Sequence, residues 1–294
     1  DANTNASITG ATLVNAVSGD DVSLTNSTTG TFNNAQIGTN KPVTTSMSLT
    51  GLAAGNYTLT QPTLTGNITA KGLTVINAAV TAKPYDGNTN ATITGATLSG
   101  IVPGDVVTLN NATTGSFNTP AIGTNKPVTT SMTLTGAQSG NYTITQPSLT
   151  GNITAKTLTV TGAQVVSKIY DGNTLATITG ATLTGVVTGE NVILNNATQG
   201  NFNNPLVGAN KPVTTNMTIT GTSVANYTLQ QPTLFGEILS NALNVTGIVA
   251  ANKVYDGNNI ATLSGGTLIG VIPGDIVSVV VPSTGTFATP NVGT

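Results

Sequence analysis

The 294-residue sequence contains no cysteine, no histidine and no tryptophan, and all eight of its basic residues are lysines. Without cysteine there is no disulfide, no thiol nucleophile and no thiolate metal site. Without histidine the usual general base near neutral pH is missing, as is the commonest zinc ligand. Ser-His-Asp and Cys-His arrangements are therefore impossible. Eight lysines and no arginine cannot neutralise a phosphate backbone over any length, which argues against a nucleic-acid partner. Bidentate recognition of carboxylates or phosphates is lost as well. Charged residues make up 6 % of the chain, where a soluble domain carries about 25 %. Aromatic residues make up 4 % and the formal net charge is −2. No apolar run approaches the roughly 20 residues that span a bilayer, so no membrane insertion is expected within this segment. No leader-like stretch is visible and the sequence opens on Asp1 rather than Met, so it reads as part of a longer, processed protein.

Thr, Asn and Gly occupy the places that charges vacate, and they fall in a repeat. Tyr85-Asp86-Gly87, Tyr170-Asp171-Gly172 and Tyr255-Asp256-Gly257 recur every 85 residues, a register that sets Asp1 opposite Asp86. Lys41-Pro42-Val43 matches Lys126 to Val128 and Lys211 to Val213 without a gap. Asn56-Tyr57-Thr58 matches Asn141 to Thr143 and Asn226 to Thr228, and Gly104-Asp105 matches Gly19-Asp20, Gly189-Glu190 and Gly274-Asp275. The two complete copies are roughly 60 % identical, far beyond what shared periodicity produces. Solenoids repeat every 20 to 50 residues or so, and no sub-period is visible here, so each copy has the size of a small β-domain.

Within one copy, Leu73 and Val75 alternate with Thr74, the period of a half-buried strand. Further short strands are read at Thr92–Thr94 with Ala96–Leu98, at 106–109, at 116–118, from Lys126-Pro127 to Leu134, at Asn141–Ile144 and at Leu149–Ile153. Pro103-Gly104-Asp105 and the Asn-rich stretches supply the turns. Pro127 is expected at the start of its strand, where a missing N–H is harmless. Seven short strands with Gly, Pro and Asn turns between them predict an all-β fold of tandem immunoglobulin-like β-sandwiches. The approach to Tyr142 resembles a tyrosine corner, in which the phenol pins the crossing before its own strand. Boundaries set ahead of each opening strand give repeats 1–70, 71–155, 156–240 and 241–294. The first lacks its opening strand and the last is incomplete at its C-terminal side.

The ordered set of Tyr-Asp-Gly, Gly-Asp, Asn291-Val292-Gly293-Thr294 and Gly-Asn-Tyr-Thr resembles the YDG repeats of large bacterial surface proteins. It is also similar to the mostly-bacterial immunoglobulin-like domains of giant, filamentous-haemagglutinin-like adhesins. The resemblance covers the whole chain, except that Ala2 stands where the other copies carry glycine. It implies an extracellular stalk or adhesive module at the bacterial cell surface and no catalytic residues. The expected partners are neighbouring repeats, like chains in a fibre, or a ligand on a host or other cell.

The candidate sites are few. Asp86 and Asp105 and their equivalents are the recurring acids. With Asn-rich turns they raise calcium, which needs six to eight oxygens, against the plainer reading of Asx-turns. Asp20-Asp21 is an acidic pair in one copy only, with neighbours on a strand facing opposite ways. Lys83, Lys168 and Lys253 precede each Tyr-Asp-Gly. Lys41, Lys126 and Lys211 raise a Lys–Asn isopeptide crosslink against a side chain that guards an edge strand. Asn56, Asn111 and Asn152 head Asn-x-Thr sequons, which arise by chance in such a composition. No catalytic, cofactor-binding or metal residue is assigned, and no enzyme is expected. The leading expectation is a structural stalk or filament segment. The alternative is that the repeats themselves bind glycan, protein or like repeats. Because only about two residues separate the last strand of one copy from the first of the next, no flexible linker intervenes. Each copy should then add about 40 Å to a slender rod.

Overall fold

The computed structural model describes residues 2–293; Asp1 and Thr294, quoted in the motifs above, lie outside the described residues. The chain divides into two compact units, Asp1–Thr154 and Ala155–Thr294. Among the described residues the regular structure consists of β-strands and three short 3-10 turns, Ala54–Asn56, Ser139–Asn141 and Val224–Asn226. None of these is long and apolar enough to cross a membrane. The all-β, tandem-sandwich expectation holds.

The strands of residues 71–154 form one complete sandwich. Its larger sheet runs Ala79–Val80, Asn90–Thr94, Thr114–Phe117, Gly123–Thr129, Leu149–Thr154 and Lys83–Pro84, in that spatial order. The facing sheet places the opening strand Lys71–Ile76 between Thr97–Ser99 and Tyr142–Thr145, and Thr108–Asn110 pairs with Thr133–Thr135 beside it. Alternation drives the closure: Ala91 and Ile93 point inward while Thr92 and Thr94 face water. Leu73 of the opening strand is 0 % exposed and packs with Val107 and Tyr142. Phe117, whose counterparts at the 85-residue spacing are Phe32, Phe202 and Phe287, is buried in the core.

The second unit repeats this order from Lys156–Thr161 to Leu234–Leu239. Its core gathers Ala176, Ile178, Phe202, Val213, Met217, Leu234 and Ile238. In both complete copies two pairings are parallel: the opening strand with the one beginning at Tyr142 or Tyr227, and the short strand at Lys83 or Lys168 with the last strand. Each parallel pairing ties residues some 70 apart, so a copy closes only when its first and last strands are both present.

The expectation for Pro127 needs correction. The strand begins at Gly123 and Pro127 sits within it, opposite Thr150. The register shifts between Gly123 and Lys126, and Asn125 adopts a left-handed φ of 50°. A bulge is one of the few interior places that tolerates proline, and Asn is among the residues that best accept this conformation. The Asn152 amide oxygen accepts the Asn125 N–H at 2.9 Å, fixing the bulge from the neighbouring strand.

The flanking copies are partial. Residues before 71 form the sheet Asn5–Ser7, Thr29–Phe32, Gly38–Thr44 and Leu64–Ile68, plus the pair Ser23–Thr25 with Ser48–Thr50. No strand is assigned to Tyr57–Thr60, the counterpart of Tyr142–Thr145. At the other end, Asn244–Ala250, Ile260–Ile269 and Thr284–Thr286 form a single three-stranded sheet.

Candidate functional site

The Tyr-Asp-Gly motif folds into a lysine-centred turn that recurs with the same atoms. Lys168 Nζ contacts Asp171 Oδ1 at 2.6 Å and donates to Asn173 O at 3.2 Å, Asn173 Oδ1 at 2.8 Å and Leu175 O at 3.2 Å. Lys83 makes the equivalent contacts to Asp86, Asn88 and Asn90, and Lys253 to Asp256 and Asn258. The turn is also an Asx-turn: Asp171 Oδ1 accepts the Asn173 N–H, and Asn173 Oδ1 accepts the Leu175 N–H. Gly172 supplies the left-handed φ of 79° that swings the chain between them. Ala2 takes φ 52° at the same place in the first copy, a conformation that costs a side-chain-bearing residue about 1–2 kcal/mol.

A cation therefore already sits among these oxygens, and it is the ammonium. The Lys168 side chain holds the Asp171 carboxyl below the usual carboxylate range, and Lys253 does the same for Asp256. At Asp86 partial burial pushes upward, but Lys83 and the Asn88 N–H outweigh it and the net shift is downward. Calcium would have to displace lysine from each turn. No cluster of three or more Asp or Glu occurs among the described residues. The melting temperature is accordingly expected to be the same in excess calcium and in chelator. A rise of many degrees with calcium, the mass-action signature of a tight native-state ligand, would contradict the lysine-filled turn.

The Gly-Asp motif meets the tyrosine of Gly-Asn-Tyr. The Val102 N–H donates to Tyr142 Oη at 3.1 Å, and Tyr142 Oη donates to Asp105 Oδ2 at 2.5 Å. Tyr57 bridges Val17 and Asp20 in the same way, and Tyr227 bridges Val187 and Glu190. The tyrosine-corner expectation is thus corrected. The phenol pins the turn 40 residues upstream, not the crossing before its own strand, because the facing sheet brings that turn over the ring. Hydrogen bonding to Asp105 raises the Tyr142 phenol above its ordinary value, and Asp20 does so for Tyr57. Burial, with Glu190, raises Tyr227.

These shifts set a pH profile. The lowered aspartates stabilise the fold above their unfolded pKa of about 4, and that contribution is lost as pH falls through their lower folded values. The raised tyrosines stabilise it below about pH 10, and that contribution is lost as pH rises through their folded values. The chain has no histidine, the side chain whose unperturbed charge change falls between about pH 5 and 8. Thermal melts should show a flat plateau there with losses at both extremes. A transition centred near pH 6 to 7 would contradict the assignment.

The remaining candidates separate cleanly. Asp20 accepts from Tyr57 while Asp21 Oδ2 accepts the Leu52 N–H at 3.2 Å, so the acidic pair does not converge. Lys41 and Lys211 are each only 9 % exposed and donate to the amide oxygens of Asn34 and Asn204 at 2.6 Å. Their strands lie inside the sheet, so edge guarding is not their role. Thr119 replaces the asparagine opposite Lys126 and accepts its proton at 2.7 Å. A side-chain amide is therefore not a constant part of this arrangement, which removes the electrophile a crosslink would need in every copy.

Sequence reading missed one recurring device. Gln146 Oε1 accepts the Met132 N–H at 3.1 Å and the Thr130 hydroxyl proton at 2.6 Å, while Gln146 Nε2 donates to Met132 O at 2.8 Å. Gln61 and Gln231 clamp Met47 and Met217 identically. The signal was present as a Gln-Pro pair in each of the first three copies, but it reads locally as a strand stop.

Inside each unit the motifs also reach the adjoining copy. In the first, the Ile37 N–H donates to Asn141 Oδ1 at 3.2 Å. In the second, Tyr170 Oη donates to Asp275 Oδ1 at 2.9 Å, joining one Tyr-Asp-Gly turn to the next Gly-Asp turn. No curated protein and no solved structure matches the chain. The model of the YDG domain matches residues 1–65, 69–149, 154–234 and 240–294. Four matches in tandem, running from the first residue to the last, show that the chain belongs to the YDG domain family.

Proposed function

We propose that this chain is a structural segment, a stalk or filament portion of a large bacterial cell-surface or secreted adhesin, acting outside the cell to project a distinct binding region. One observation carries the reading. The polar side chains that recur in register, Lys168, Asp171, Tyr227, Glu190 and Gln231 with their counterparts, are bonded to backbone or to one another within the repeat. The Tyr170–Asp275 bond extends the same chemistry to a neighbouring repeat. Side chains committed in this way hold turns and joints. The function proposed is thus mechanical.

The competing reading, in which the repeats are themselves adhesive, is tested by presenting the whole chain to an array of glycans and extracellular-matrix proteins. The stalk reading expects no saturable signal. A saturable hit abolished by substitutions on one face of a complete repeat would overturn it.

A further inference from the structure

Asparagine is about as common as glycine in this sequence, yet none of the 34 glycines follows an asparagine, where chance would place several. Asn-Gly is the pair in which the next backbone nitrogen attacks the side-chain carbonyl most readily, because glycine has no side chain to shield that nitrogen. Asp-Gly reacts by the same route. It occurs at three places only, Asp86-Gly87, Asp171-Gly172 and Asp256-Gly257, and each of them lies in a lysine-centred turn.

The turn needs both residues. Gly172 takes φ +79°, and a Cβ there would lie 3.2 Å from Ile272 Cγ2 of the adjoining repeat. Asp171 Oδ1 accepts the Asn173 N–H at 3.1 Å, and Asp171 Oδ2 accepts from Asn173 Nδ2 at 2.9 Å. The fold thus places a chemically labile bond beside Tyr170, which reaches Asp275. Burial does not shield it, because the side chains of Asp86, Asp171 and Asp256 are 45 %, 45 % and 49 % exposed.

We propose that Lys83, Lys168 and Lys253 protect these three Asp-Gly bonds from rearrangement to isoaspartate. In that reaction the Gly172 nitrogen bonds to Asp171 Cγ. The carboxyl loses one oxygen as water, which carries away the amide proton, and a succinimide closes. Water then adds at the Asp171 α-carbonyl carbon and breaks its bond to the Gly172 nitrogen. One water leaves, one returns, and nothing is oxidised or reduced. The main chain now runs through Cγ and is one carbon longer, which would break the turn that presents Tyr170 to Asp275.

Two features of the turn oppose the first step. Ring closure needs a neutral carboxyl, since a carboxylate has no leaving group, and the ammonium 2.6 Å from Asp171 Oδ1 keeps it ionised. Closure also needs the carboxyl to turn its carbon toward the Gly172 nitrogen, which breaks the bonds to Lys168 and Asn173 together. The ammonium is itself fixed by the carbonyls of Asn173 and Leu175. Lysine holds Asp86 and Asp256 in the same way, at 2.7 and 2.8 Å. The protection is independent of the stalk reading.

The test uses the full-length chain, its Lys168→Met variant and a synthetic peptide of residues 166–178, all held at neutral pH. Mass spectrometry of digests measures isoaspartate at each motif. In the unaltered chain Asp171 should rearrange far more slowly than in the peptide. Lys168→Met should accelerate it about three- to tenfold, between the worth of an exposed ion pair and that of a charge-assisted hydrogen bond. Asp86 and Asp256 should keep their rates, and Lys83→Met should accelerate Asp86 alone. Equal rates in the unaltered chain and the peptide would overturn the proposal. So would an unchanged rate at Asp171 in Lys168→Met, or a rise at all three motifs, which would assign the protection to the fold at large and not to the lysine.

Discussion

Replacing Leu158 with Ala should destabilise its repeat by about 2–5 kcal/mol, the range for emptying a well-packed aliphatic site. For a domain of this size each kcal/mol lowers the melting temperature by roughly 4–8 °C. Leu158 is 0 % exposed, and its strand is flanked on both sides, by Thr182–Thr184 and by Tyr227–Leu229. The surrounding backbone is pinned by hydrogen bonds along both edges, so the cavity cannot collapse easily. Leu243 is the control. It holds the same register but is only half-buried. Its replacement by Ala should cost well under half as much. Calorimetry on the two variants reads the difference directly, and equal costs would mean that the complete sandwich does not close around Leu158.

Gly136→Ala should have the second largest effect. This glycine ends the strand Thr133–Thr135 with φ +115°, and a Cβ placed on it would lie 2.3 Å from the Val106 carbonyl oxygen. The conformation alone costs an alanine about 1–3 kcal/mol. The clash adds to this, because a backbone carbonyl cannot swing aside as a flexible side chain would. Gly104→Ala isolates the first term: its φ is +95° but nothing lies within 4 Å of its Cβ. Chemical denaturation should therefore rank Gly136→Ala as clearly more damaging than Gly104→Ala. An equal ranking would show that the Val106 turn yields.

Much of the fold was legible because the repeat makes each local signal speak several times. Alternation of Leu73, Thr74 and Val75 gave the opening strand, and the Asx-turn reading of Asp86 survives in the hydrogen bonds it accepts. What could not be read were partners distant in sequence. Nothing near Tyr142 says that its phenol will meet Val102 and Asp105, because that contact exists only once the facing sheet has folded over the turn. Pro127 misled for a related reason. Its strand starts early through a bulge that depends on Asn152, a residue of the neighbouring strand. The lysine of the motif was noticed without its role, since Lys83 acts through carbonyls of Asn88 and Asn90 that sequence alone does not orient.

A stalk must be long, and its length must come from the number of repeats. Proteins of two, three and four whole repeats, each beginning at the residue equivalent to Lys71 and ending at that equivalent to Ala155, carry both closing strands in every copy. They should therefore scatter as monomers. Small-angle X-ray scattering on this series is expected to give a maximum dimension that grows linearly, by about 40 Å per repeat. A plateau, or a radius of gyration for the four-repeat protein near the roughly 20 Å of a compact globule of that length, would contradict the stalk.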